Sequence, residues 1–299
     1  MRVFSHDTTT FPLPPGHRFP LARYRLLRER LVADGVVRAR DVAFPAPVAW
    51  TDLGRVHDAA LLHRIRTGTL GERERRGLGL PWSPQLVERG RRSVAGTVGA
   101  AREALGRGLG MNLGGGTHHA GRDFARGYCL FNDVVVATRV LRAEGAVRRV
   151  LVVDCDVHQG DGTAHLLRPD AAAFALSLHG ALNYPFRRVP SDLDVDLATG
   201  TGDDAYLEAL GRALDVAIPA ARADLAFFLA AADPWEGDRL GRLALTKAGL
   251  RARDALVLDR LGRAGVPACV VLAGGYAEDV RDTVEINAAT AAAVRQRLA

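Results

Sequence analysis

From about Ser93 onward, short runs of apolar or β-branched residues alternate with amphipathic stretches of ten or more residues. That order constrains the chain more than any other feature. Helical Val94 to Arg107 precedes a short strand near Met111 to Leu113, and helical Asp133 to Glu144 precedes VLVVDCD from Val150. AFALSLH follows from Ala173, then a helix from Asp203 to Ala217, the strand DLAFFLAAAD, a helix from Thr246 to Gly262, the strand PACVVLAGGY and a last helix. Strands that are apolar throughout, rather than at alternate positions, are covered on both faces, as in parallel sheets crossed over by helices. The expected fold class is therefore α/β, a three-layer α/β/α sandwich on a mostly parallel sheet, with residues 1–299 forming one domain. The first ~90 residues lack this rhythm. A helix from Ala22 to Asp34 is expected there, and GERERRGLGLPWSP reads as an exposed loop ending in a helix start.

Polar residues gather at the ends of these strands. Gly114 to His119 (GGGTHH) follow the first, Asp154, Asp156, His158 and Asp161 end or follow the second, His179 ends the third, and Asp233 and Tyr276 end the last two. Ligands of open parallel sheets bind beyond the carboxyl ends of the strands, so one rim would receive all of these groups. Asp154, Asp156 and His158 fall on one side of a period-two run, with Cys155 and Val157 on the other. Two carboxylates this close repel one another unless a cation lies between them, which favours a divalent metal over two loop caps and a histidine bonded to a carbonyl. Asp233 is the candidate third ligand. The three cysteines, Cys129, Cys155 and Cys269, are far apart, so thiolate zinc sites and a disulfide framework are both excluded. His118 and His119 read either as a pair of acid–base groups, each oriented by a carboxylate, or as loop hydrogen-bonding residues; Asp154 and Asp161 are the acids at hand. Tyr276 follows two glycines that would let it swing over the site, where a phenol stabilises an oxyanion. Read in isolation it is better taken as a packed aromatic with a wet hydroxyl.

Taken together, GGGTHHAGRDFARGYCLFNDV, VLVVDCDVHQGDGTA, SLH, ADPWEGDRLGRLALT and LAGGY resemble the zinc-dependent histone deacetylase superfamily, whose fold is that of arginase. The resemblance runs from about Gly16 to the C-terminus. Gln159 and the GDRLG segment make the chain most similar to the class IV group and its bacterial relatives. The resemblance implies zinc, or alternatively ferrous iron, on Asp156, His158 and Asp233, and His118 and His119 supported by Asp154 and Asp161 respectively. It also implies Tyr276 facing the substrate carbonyl, Gly127 and Tyr128 on the channel wall, and Tyr184 or Phe186 as the second aromatic wall. A structural potassium ion is implied at Asp154, Asp156, His158, Ser177 and Leu178. The implied reaction is hydrolysis of an N-acyl bond to a free amine and a carboxylate. N6-acyl-lysine in proteins is the expected substrate, acetyl or longer.

Three other readings compete. An acetylpolyamine amidohydrolase shares the site but suits an acid-lined mouth, and the candidate loops here are arginine-rich. A ureohydrolase of the arginase type needs a second metal with ligands that DCDVH does not supply. A non-catalytic acyl-lysine binder would lack a ligand, a histidine or the tyrosine. The net charge is +6, and Lys247 is the only lysine among 40 basic residues. Acidic residues interleave with the arginines, so the excess is read as charge spread over solvated faces rather than as a nucleic-acid surface. With no signal-like segment and no apolar run near ~18 residues, the chain is expected to be cytoplasmic, with no membrane span.

Overall fold

The computed structural model describes residues 1–298. Eight strands form one sheet in the order β2-β1-β3-β8-β7-β4-β5-β6, and every neighbouring pair is parallel. They are β1 (Val3–Phe4), β2 (Val42–Ala43), β3 (Leu109–Asn112), β4 (Val150–Asp154), β5 (Ala173–Gly180), β6 (Leu193–Leu197), β7 (Leu225–Leu229) and β8 (Ala268–Val271). Ten α-helices accompany them: α1 (Arg23–Ala33), α2 (Trp50–Leu53), α3 (Ala59–Thr67), α4 (Glu72–Leu78), α5 (Pro84–Arg107), α6 (Asp133–Ala143), α7 (Asp161–Leu167), α8 (Asp203–Ala221), α9 (Lys247–Arg263) and α10 (Val280–Arg297).

The period of two along β4 divides its apolar side chains between two cores. Val150 and Val152 join Val94 and Val98 of α5 and Val134 and Val136 of α6 on one face. Leu151, Val153, Cys155 and Val157 join Leu210 of α8, Val257 of α9 and Ala291 of α10 on the other. Both sides of the strand are thus dry, which is why its sequence is apolar without alternation. Parallel pairing also brings every strand's carboxyl end to the same edge of the sheet.

Four features differ from the sequence expectation. The N-terminal 90 residues contribute β1 and β2 to the sheet edge, strands too short to show a period. The stretch expected as an exposed loop contains α4, with the carboxylate of Glu74 accepting from Gly71 N–H at 2.8 Å and Leu78 and Leu80 buried. The helix expected from Val94 begins ten residues earlier, where the Ser83 hydroxyl accepts from Leu86 N–H at 3.1 Å and Pro84 sits in the first turn. β6 escaped notice because Asp194 and Asp196 break its apolar run, although it pairs with β5 along its length. No helix among the described residues is long and apolar enough to cross a membrane.

Candidate active site

The ends of β3, β4, β7 and β8, adjacent in the sheet, bound one cavity of about 550 Å³. His118, His119, Gly127, Tyr128, Cys129, Asp156, His158, Tyr184 and Tyr276 all line it. Beyond β3, the glycine-rich loop is held by Asp133 at the start of α6. One carboxylate oxygen accepts from Thr117 N–H at 2.8 Å and from the Thr117 hydroxyl at 2.7 Å; the other accepts from Gly116 N–H at 3.1 Å. This fixes the backbone from which the two histidines project. His118 Nδ1 lies 2.7 Å from Asp154 Oδ2, and His119 Nδ1 lies 2.6 Å from Asp161 Oδ1. The two imidazoles sit side by side, their ring centroids 4.1 Å apart.

Their environments push them in opposite directions. Burial opposes charge on His118, but Asp154 and Asp156 outweigh it and raise its pKa to about 9. Burial also disfavours charge on His119, and the neighbouring His118 and His158 add to the effect, so its pKa falls well below 6.5. Adjacent groups divided in this way are one charged and one neutral at pH 7, the division that suits an electrostatic partner beside a base. Arg126 forms an ion pair with Asp161, the carboxylate behind His119.

Asp156, His158 and Asp233 each offer a ligand atom within 4.8 Å of the others; the two carboxylates are buried and the His158 side chain is 12% exposed. Asp156 Oδ1 and Asp233 Oδ2 lie 2.9 and 3.4 Å from His158 Nδ1. Asp233 Oδ2 is buried without a hydrogen-bond donor, while Oδ1 accepts from Val157 N–H at 3.0 Å. Burial, and then the charge of Asp156, raises the pKa of Asp233 to about 7. Such crowding is what a cation relieves, and two carboxylates with one imidazole form a donor set that zinc or ferrous iron accepts. Gly274 completes the cradle: a Cβ there would run into the carboxylates of Asp233 and Asp156, whereas its N–H donates to Asp156 Oδ2 at 2.9 Å.

The glycines before Tyr276 do not serve as a hinge. Tyr276 N–H donates to Asp238 Oδ2 at 2.5 Å, its carbonyl accepts from Arg239 Nε at 3.0 Å, and Arg23 donates to the carbonyls of Gly275 and Ala273 at 3.0 and 2.8 Å. The phenol is buried and the backbone that carries it is fastened on both sides; close approach to the carboxylates is what Gly274 supplies. Burial raises the Tyr276 pKa well above 10, against the pull of Arg23, so the phenol keeps its proton.

Gly127 and Tyr128 both have left-handed backbones, with φ of 58° and 65°. Their N–H groups donate to the carbonyls of Gly77 and Leu78, both at 2.9 Å, so the end of α4 supports this wall. A Cβ on Gly127 would meet His119 Cδ2 at 2.5 Å. Tyr184 stands edge-on to His119 at 5.0 Å, and Phe186 lies at the exposed mouth. His179, expected at the same rim, is instead buried between Ser177 Oγ at 2.9 Å and Asp196 at 3.1 Å. Ser177 and Leu178 lie on β5, Ser177 paired with Asp154. Sequence reasoning missed Arg23, Arg126, Asp133 and Asp238. Arg126, Asp133 and Asp238 lay within the motif segments, GGGTHHAGRDFARGYCLFNDV and GDRLG, without being singled out there; Arg23 carried no signal.

Residues 17–292 match the Histone deacetylase domain. The chain is 41% identical to an uncharacterized protein of Picosynechococcus sp., over 94% of each chain. It is 31% identical to a histone deacetylase-like amidohydrolase of Pseudomonas aeruginosa, over 89% of this chain and 74% of the other. Its fold matches the solved structure of an HDAC homolog complexed with SAHA, with a TM-score of 0.86, 20% identity, and coverage of 99% of this chain and 84% of the other. The chain belongs to the histone deacetylase family of hydrolytic deacetylases.

Proposed function

We propose that the chain is a metal-dependent N-acyl amidohydrolase acting on N6-acyl-lysine, with Asp156, His158 and Asp233 as the metal ligands. The observation that carries this reading is the convergence on one cavity of that triad, two His/Asp pairs of opposite electrostatic bias, and a buried phenol. A divalent cation held there supplies Lewis acidity to the amide carbonyl and to the attacking water. His119, neutral and with Nδ1 occupied by Asp161, takes the water proton at Nε2 and passes it to the leaving nitrogen. His118, charged and bonded to Asp154, acts through its field and lowers the basicity of its neighbour. Tyr276 donates its hydroxyl proton in a hydrogen bond to the carbonyl oxygen as charge develops there. Gly127, Tyr128 and Tyr184 enclose the acylated side chain. A potassium ion on Asp154, Asp156, His158, Ser177 and Leu178 would offset the crowding of acids behind the ligands.

The protein-lysine reading is favoured over an acetylpolyamine because Asp156 is the only carboxylate lining the cavity, whereas Arg23, Arg76 and Arg242 line it as well. A polycation gains nothing from such a mouth. Metal analysis of the purified protein, together with carboxylate release from acetyl- through myristoyl-lysine peptides, tests the assignment. Tyr276→Phe should lower kcat by on the order of 10²-fold with folding intact. An unchanged kcat would remove Tyr276 from the chemistry, and metal bound without turnover of any acyl length would favour the binding-protein reading.

A further inference from the structure

We propose that the mouth of this cavity selects substrates that present a carboxylate beside the acylated amine, received by Arg76 and Arg242. The assignment rests on the deacylase reading and names the substrate class it implies. Arg76 comes from α4 and Arg242 from the segment between β7 and α9, yet both line the cavity that holds His119 and Tyr276. Both are exposed. Arg76 lies 3.4 Å from Glu72 in a contact between two exposed side chains, which holds a guanidinium only weakly. Arg242 has no carboxylate partner among the described residues. Between them, Glu72 is the only acid in reach of either guanidinium among the described residues.

The cavity's own chemistry sharpens the point. Its one lining carboxylate, Asp156, belongs to the triad at the floor. Two of the four large apolar side chains exposed on the chain, Leu182 and Phe186, at 62% and 88% exposure, also line this mouth. Uncovered apolar surface beside one weakly held guanidinium and one with no acid partner marks a surface that a ligand covers. Guanidinium forks pair bidentately with carboxylates and repel ammonium groups, so the covering ligand is acidic. Either an acidic peptide flanking the acyl-lysine or the free α-carboxylate of an N-acyl amino acid carries this chemistry.

The test compares acyl-lysine peptides that differ only in flanking Glu, Gln or Lys, and Nε-acyl-lysine with a free or amidated carboxylate. Dissociation constants are read by fluorescence anisotropy and its competition on the His119→Ala chain, so that ligand is not consumed, and kcat/KM is measured in parallel on the unmodified chain. Two guanidinium groups near one carboxylate at a solvated mouth predict about tenfold tighter binding of the Glu peptide than of the Gln peptide at low salt. The preference should fade at about 1 M salt, and joint Arg76→Gln and Arg242→Gln substitution should abolish it. Preference for the free carboxylate of acyl-lysine with indifference to peptide flanks identifies the small acylated amino acid as the source. Equal binding of the Glu, Gln and Lys peptides together with indifference to the free carboxylate, or a preference that survives the double substitution, overturns the assignment. Charge-selective binding without turnover of any substrate upholds the mouth and sinks the hydrolase reading, so the two fail separately.

Discussion

His57 does no chemistry, but it fastens the loop that does. It is buried, with Nδ1 2.7 Å from Gly121 O and Nε2 accepting from Asn132 N–H at 3.0 Å. The first contact anchors the segment just after His118 and His119; the second anchors the residue that caps α6 through its own side chain. With Nε2 already accepting, a second ring proton has no place to go. Burial lowers the pKa from 6.5 to about 4, against a smaller opposing pull from the Gly121 carbonyl. Between these two values the unfolded chain binds a proton that the folded chain does not, so stability rises with pH through this window and is lost as pH falls. At 1.36 kcal/mol per pKa unit, the loss from this residue is about 2 kcal/mol at pH 5 and about 3 kcal/mol by pH 4. His57→Gln retains polar atoms but cannot titrate. Urea unfolding of both chains at pH 7 and pH 5 isolates the effect, since other buried histidines such as His6 are common to both. The unmodified chain should lose about 2 kcal/mol more than the variant between those pH values. Equal losses would refute the claim that His57 is held neutral by its burial and its two partners.

Two further outcomes follow from the triad. Gly274→Ala should weaken zinc binding by about 10- to 100-fold, because the added methyl displaces the carboxylates of Asp233 and Asp156; unaltered affinity by calorimetry would place the metal elsewhere. Burial opposes the charge of metal-free His158, but Asp156 and Asp233 raise its pKa to about 10, so a metal must displace that proton. Zinc affinity should therefore climb about tenfold per pH unit from pH 7 to 9, and a flat dependence in competition titrations would argue against His158 as a ligand.

What could be read from the sequence and what could not divide along a physical line. Asp154, Asp156 and His158 were legible because the period of two outlasts β4: Cys155 and Val157 continue Leu151 and Val153 into one core, which leaves the polar residues on the other side. His118 and His119 were legible as a pair, and the family resemblance implied a base and an electrostatic partner; the physical cause of their opposite bias was not legible, since it depends on Asp154 and Asp156 standing near one ring and on burial around the other. Arg23 was invisible as a site residue. It lies 252 positions from the Gly275 carbonyl it holds, and the docking of α1 against α10 brings the two together.

The arginine surplus was misread for the same reason. Most of it does face solvent, but Arg23, Arg89 and Arg253 are buried. Each donates to backbone carbonyls: Arg23 to Ala273 and Gly275, Arg89 to His6 and Thr9, and Arg253 to Ala231, two residues before Asp233. These carbonyls belong to loops that have left the sheet, and all but that of His6, which also accepts from Thr9 N–H, would otherwise lie unpaired at a cost of about 1–3 kcal/mol each. A lysine brings three donors on one nitrogen, whereas a guanidinium spreads five over a rigid fork and reaches two carbonyls at once. The residue type that composition assigned to the surface is therefore also what keeps the strand-end loops in place, and two of these three arginines act on the segments that carry Asp233 and Tyr276.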